Sequence, residues 1–171
     1  MGCSAIEGPS QEGSEYNLDV SMAGDKSRKT DGRVLGLDVG SRRIGMAVSD
    51  PLGITAQGLE TLQRQNKRQD LAALERVIRE YAVREIVVGL PLRMSGADGT
   101  QSDKMQVFAE DLRKRFRLPV HLWDERLTSA EANRVLRDSE MSIQRRGEVV
   151  DRLAAVLILQ SWLDTRAAGN Q

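Results

Sequence analysis

Three short segments of this 171-residue chain hold carboxylates where carboxylates can do chemistry. They are Gly36-Leu37-Asp38-Val39-Gly40-Ser41, Trp123-Asp124-Glu125-Arg126 and Val149-Val150-Asp151-Arg152. Asp38 sits where an apolar run meets a glycine turn, Asp124 and Glu125 close a second apolar run, and Asp151 stands near the start of a longer third one. A carboxylate within an apolar strand is expensive to bury unpaired, and clustered carboxylates repel one another unless a cation neutralises them. Oxygen ligands suit hard divalent ions such as Mg²⁺ and Mn²⁺. The chemistry that such an ion supports among acids is the hydrolysis of phosphodiesters.

Each acid also has a plainer reading. Asp38 would otherwise pair with an arginine or cap a helix, and an acid beside Arg126 would otherwise be a solvated loop charge. Asp151 at a helix start would otherwise be a dipole partner worth about 0.3–1 kcal/mol. The functional reading is favoured at Asp38 because its neighbours are small enough to let a phosphate approach. It is favoured at Asp151 because the helix around it is apolar on most sides. Between Asp124 and Glu125 the residues alone do not choose.

Other side chains are weighed in the same way. Ser41 and Ser49 are candidates for phosphate contact or for turn capping. Arg42, Arg43, Arg93 and Arg126 fall in loops expected at the same sheet edge, where they would clamp a nucleic-acid backbone; solvated loop charge is the alternative. The Arg145-Arg146 pair has the same two readings. His121, the one histidine in the chain, reads as a satisfied histidine rather than a triad member. Trp123 and Trp162 read as core.

These residues need elements to bring them together. Arg33 to Val39 and Ile44 to Ser49 read as strands joined in an antiparallel hairpin, and Ile54 to Leu62 as a less regular third strand. Apolar spacing predicts helices over Lys67–Tyr81 and Gln101–Phe116. Between and after them, Glu85–Leu90 and Leu118–Trp123 read as buried strands. Pro91 to Thr100 reads as a loop. Thr128 and Glu131 form a capping box that starts a third helix, Glu140 to Arg146 reads as a polar loop, and Gly147 to Leu163 as the last helix. Three meandering strands followed by strand–helix–strand crossovers make a mixed sheet with helices on both faces.

Residues 1–32, rich in Gly, Ser, Asp and Glu, read as a disordered extension. Met22 is a candidate alternative start, and residues 167–171 read as a flexible tail. The formal net charge of zero hides an asymmetry: residues 1–32 hold six acids and three bases, which leaves 22 bases against 19 acids in the rest. That balance permits a nucleic-acid partner. Cys3 is the one cysteine, so no disulfide framework or cysteine-based zinc site forms within the chain. No apolar run approaches the roughly 20 residues that span a bilayer, and the N-terminus has no secretory pattern. A cytoplasmic protein, as monomer or homodimer, is the expectation.

Four motifs, in order, resemble those of the YqgF/RuvX family of ribonuclease H-like proteins. They are Leu35–Gly45 (LGLDVGSRRIG), Ile86–Leu92 (IVVGLPL), Trp123–Ser129 (WDERLTS) and Val150–Ala155 (VDRLAA). The resemblance covers about residues 33–165, within a domain expected over residues 33–166, and implies a five-stranded ribonuclease H-like sheet: a three-strand antiparallel meander plus two parallel crossover strands. It implies Asp38, Glu125 and Asp151 as catalytic and metal-binding acids, with Mg²⁺ or Mn²⁺. It also implies a nuclease that matures the 5′ end of precursor 16S ribosomal RNA, with resolution of junction DNA as the alternative substrate. A non-catalytic RNA-binding assembly module is a further alternative. The family usually has Asn where this chain has Arg93, and residues 1–32 have no counterpart in its pattern. The Leu-Asp-Val-Gly-Ser stretch is also similar to the phosphate loop of actin-like and sugar-kinase ATPases. That fold needs two such domains around its nucleotide, and this chain has length for one.

Overall fold

Strand β1 (Arg33–Val39) has no solvated face, because helices cover the sheet on both sides. The computed structural model describes residues 32–90, 99–124 and 143–169. In it, β1 pairs antiparallel with β2 (Arg43–Ser49), and β2 pairs antiparallel with β3 (Ala56–Gly58) and β4 (Leu62–Gln63). On its other side β1 pairs parallel with β5 (Val83–Leu90), which pairs parallel with β6 (Val120–Asp124). The sheet order is therefore β3-β2-β1-β5-β6, with β4 also on β2.

The expected third strand is two short pieces. Leu59 still donates its N–H to the Met46 carbonyl at 2.8 Å, but the chain then leaves the ladder until Leu62. Six strands thus fill the five positions of the expected meander and crossovers.

Helix α1 (Lys67–Glu80) starts where Asn66 accepts a hydrogen bond from the Gln69 N–H at 3.0 Å, the usual N-cap arrangement. It and helix α2 (Gly99–Phe116) pack Leu74, Met105, Ala109 and Leu112 onto Leu35, Leu37, Ile86 and Val88. The opposite face meets helix α3 (Ile143–Gly169) through Ala155, Ile158, Leu159 and Trp162. Helix α3 begins earlier than expected, so residues 143–146, read as loop, belong to it. Asp151 lies two turns inside rather than one, and the helix runs on into the segment read as a tail. The capping box at Thr128 and Glu131 lies outside the described residues. None of the described helices is long and apolar enough to cross a membrane.

Glycines set how close α3 lies to the sheet. A Cβ on Gly36 of β1 would stand 2.7 Å from the Leu159 Cβ and 3.2 Å from the Ala155 carbonyl. One on Gly45 of β2 would overlap the Asp151 carbonyl, and one on Gly58 of β3 would sit 2.6 Å from the Arg152 Cγ. Three neighbouring strands each contribute a glycine to the track that α3 follows. This contact brings Asp151 down onto the sheet.

Candidate active site

Alternation along β1 sends Leu35, Leu37 and Val39 toward α1 and α2 and Val34 toward α3. Gly36 meets α3 as well, so Asp38 falls on the α3 side. Its register partner on β2 is Gly45, the residue that touches the Asp151 backbone. Asp38 and Asp151, 113 positions apart in the chain, therefore converge over Gly45.

The electrostatics follow from that convergence. Asp38 is half-buried and makes no hydrogen bond among the described residues. Burial, and then the negative charge of Asp151, push its carboxyl up from an ordinary 3.8 to about 6. Asp151 instead has a partner: Arg43 Nε donates to its Oδ2 at 2.6 Å. This bond, together with the charges of Asp151 and Glu148, raises the Arg43 guanidinium further above its ordinary range.

Asp124 ends β6 opposite Leu90. In the row below, Trp123 faces α3 and its indole N–H donates to Ser161 Oγ at 3.3 Å. Alternation then places Asp124 on the α1–α2 side with Leu90, away from Asp38. Glu125, Arg93 and Arg126 lie outside the described residues. Among the described residues no three His, Cys, Asp or Glu side chains gather tightly enough to hold a metal; Asp38 and Asp151 form a pair.

Ser41 and Arg42 are exposed at the tip of the β1–β2 hairpin, next to the acids. The tip is braced by residues that the motifs did not single out. Arg64 donates through Nη1 to the Gly40 carbonyl at 2.8 Å and through its own N–H to the Arg42 carbonyl at 2.9 Å. Its Nε is 3.2 Å from Asp70 Oδ2, and Asp70, only 3% exposed, also accepts from the Gln65 N–H at 3.0 Å. The only signal of this in the sequence is an acid in the first turn of α1, which reads equally well as a dipole partner.

Ser49 lies at the other end of β2, where its hydroxyl accepts from the Val34 N–H and donates to the Asp50 carbonyl, both at 2.9 Å. That position removes it from phosphate contact at the acids. His121 is a satisfied histidine, 3.0 Å from Glu85 Oε2, with its ring 5.2 Å from that of Trp162. Trp162 is core, as expected. Arg166 completes this cluster by donating to the other Glu85 oxygen at 2.8 Å.

A mixed sheet covered on both faces, with an acid from its central strand and an acid from a crossing helix on one side, defines a ribonuclease H-like protein. The solved structure of Thermus thermophilus RuvC in complex with a Holliday junction substrate shares this fold, at a TM-score of 0.51 and 13% identity over 80% of this chain and 96% of that one. Residues 32–165 match the family model described as RuvX, Holliday junction resolvase, and the chain belongs to that family. A relative from Koribacter versatilis is 69% identical over 140 residues, spanning 82% of this chain and 92% of its own. One from Moorella thermoacetica is 52% identical over 132 residues, 77% and 94% of the two chains. Both are provisionally named pre-16S rRNA nuclease.

Proposed function

We propose that this protein is a divalent-metal-dependent endonuclease that trims the 5′ end of precursor 16S ribosomal RNA, with Asp38, Glu125 and Asp151 as its catalytic and metal-binding acids. The observation that carries the proposal is Asp38: a half-buried carboxylate with no hydrogen-bond donor among the described residues, facing a second carboxylate. Such a pair is unfavourable by itself and is relieved by a hard cation, which both side chains suit as oxygen donors. Glu125 is preferred over Asp124 because Asp124 is on the opposite side of the sheet from Asp38. The RNA substrate comes from the names of the relatives.

Bound Mg²⁺ or Mn²⁺ would supply an activated water and stabilise the leaving oxygen. The chain's own part is placement. Asp38 is fixed by the β1 ladder and Asp151 by the seating of α3 on Gly45. Ser41 and Arg42, exposed on the braced hairpin tip, would hold a phosphate backbone; their exposure and the bracing of the tip support this reading. The catalytic unit is residues 33–166, with residues 1–32 and 167–171 outside it.

The fold neighbour's complex with a Holliday junction, and the description of the family, support junction DNA as a second substrate. The test is incubation with precursor 16S RNA and with a four-way DNA junction in Mg²⁺ or Mn²⁺, with Asp38→Asn as control. Trimming at the 5′ end of the RNA that disappears in the variant is the expected result. Cleavage of the junction alone would move the assignment to DNA, and equal cleavage by the variant would remove these acids as the site. Tight RNA binding with no cleavage under any divalent ion would leave an assembly module.

A further inference from the structure

Arg43 does not point from the hairpin into solvent. Its side chain is 29% exposed and turns across the sheet face to α3, where Nε meets Asp151 Oδ2 at 2.6 Å. Helix α3 is shaped to receive it. One turn before Asp151 stands Gly147, and a Cβ there would collide with the guanidinium. Glycine weakens a helix relative to alanine, and at position 147 it leaves room that the end of the Arg43 side chain fills. Glu148 adds its negative charge to the same neighbourhood.

We propose that Arg43 is a tethered cation that competes with the divalent metal for Asp151, and that Gly147 provides its seat. The inference rests on the reading of Asp38 and Asp151 as metal-binding acids. With the guanidinium in place, Asp151 is already neutralised on one oxygen, and a metal must enter against a fixed positive charge. The effect is to hold the affinity of the site down, so that it fills only when the free ion is abundant. Arg43 is on this view no catalytic group. It sets the metal concentration at which the catalytic acids become loaded.

Two variants separate this from a structural role. Arg43→Gln removes the charge, and Gly147→Ala leaves the arginine but fills its seat while improving the helix. Both are titrated with Mn²⁺ by calorimetry on the full chain without nucleic acid, beside wild type and Asp38→Asn. Wild type binds Mn²⁺ in an Asp38-dependent way, and each of the two variants binds it on the order of tenfold tighter. A merely structural salt bridge predicts the opposite, because a loosened Asp151 would bind metal less well. Unchanged or weaker affinity in either variant, in a protein that still melts cooperatively, overturns the proposal. If wild type and Asp38→Asn take up Mn²⁺ equally, the metal site itself is refuted, and the competition with it.

Discussion

Replacing Asp38 by Asn should make the metal-free protein more stable at neutral pH, and the size of the gain follows from one carboxyl. In the folded chain that carboxyl titrates near 6, against 3.8 as its ordinary value. Burial is the larger cause and Asp151 the smaller. A raised carboxylate pKa means that the folded state holds its proton more tightly than the unfolded state. The unfolded chain therefore binds fewer protons between pH 4 and 6, and stability falls as pH rises through that window. Above it both states are ionised and the loss is complete. Two pKa units at about 1.4 kcal/mol each set an upper value of about 3 kcal/mol, and partial solvent access to Asp38 lowers this to about 2 kcal/mol.

Asn keeps the shape of the side chain and has no charge to desolvate. Thermal unfolding of wild type and variant in EDTA, between pH 4.5 and 8, reads the difference; titrating groups remote from Asp38 cancel between the two proteins. The variant should melt about 5–10 °C higher at pH 7.5, by about 2 kcal/mol in a domain of this size. The gap should shrink toward pH 4.5, where wild type regains its proton. Added Mn²⁺ should raise wild type toward the variant and leave the variant unmoved. A variant no more stable than wild type at pH 7.5, or a gap that does not change with pH, would refute the argument that Asp38 is an uncompensated charge.

Gly36→Ala would bring a methyl to within 2.7 Å of Leu159 Cβ, well inside the ~3.5–4.0 Å of a carbon contact. Helix α3 must then shift, and the expected result is a loss of about 1–3 kcal/mol by chemical denaturation together with weaker Mn²⁺ uptake, because Asp151 rides on the same helix. Asp70→Asn would replace the acceptor under Arg64. About 1.5–3 kcal/mol is expected from losing one charged hydrogen bond, and faster amide exchange at Gly40–Arg43 would show that the hairpin tip has lost its brace.

Much of this arrangement was legible in the sequence, for identifiable reasons. The strands β1, β2, β5 and β6 are short apolar runs bounded by turn residues, and such runs announce themselves. Asp38 stood out because an acid in a buried strand demands a partner. What the sequence could not show was contact between residues far apart in the chain. Arg43 reads as a loop cation because its partner Asp151 arrives from 108 positions away. Arg64 and Asp70 carry no local signal for the same reason: they brace the carbonyl of Gly40 in the hairpin tip. The loop expected over Glu140–Arg146 is helical from Ile143 on, because a polar, basic composition does not by itself exclude a helix. The residues alone do not choose between Asp124 and Glu125; the register of β6 against β5 gives the side of the sheet that Asp124 faces, and Glu125 lies outside the described residues.

The glycines join the fold to the site. Gly36 and Gly45 lie on the α3 side of adjacent strands, in the pattern that a half-buried strand would fill with valine or isoleucine. Larger residues there would give β1 and β2 more apolar surface to bury but would lift α3 from the sheet, and with it Asp151 from Asp38. The chain thus gives up packing on one face of its central strands to hold two like charges close. That arrangement is sensible only if the repulsion is relieved when the protein works, which is the role assigned to the metal.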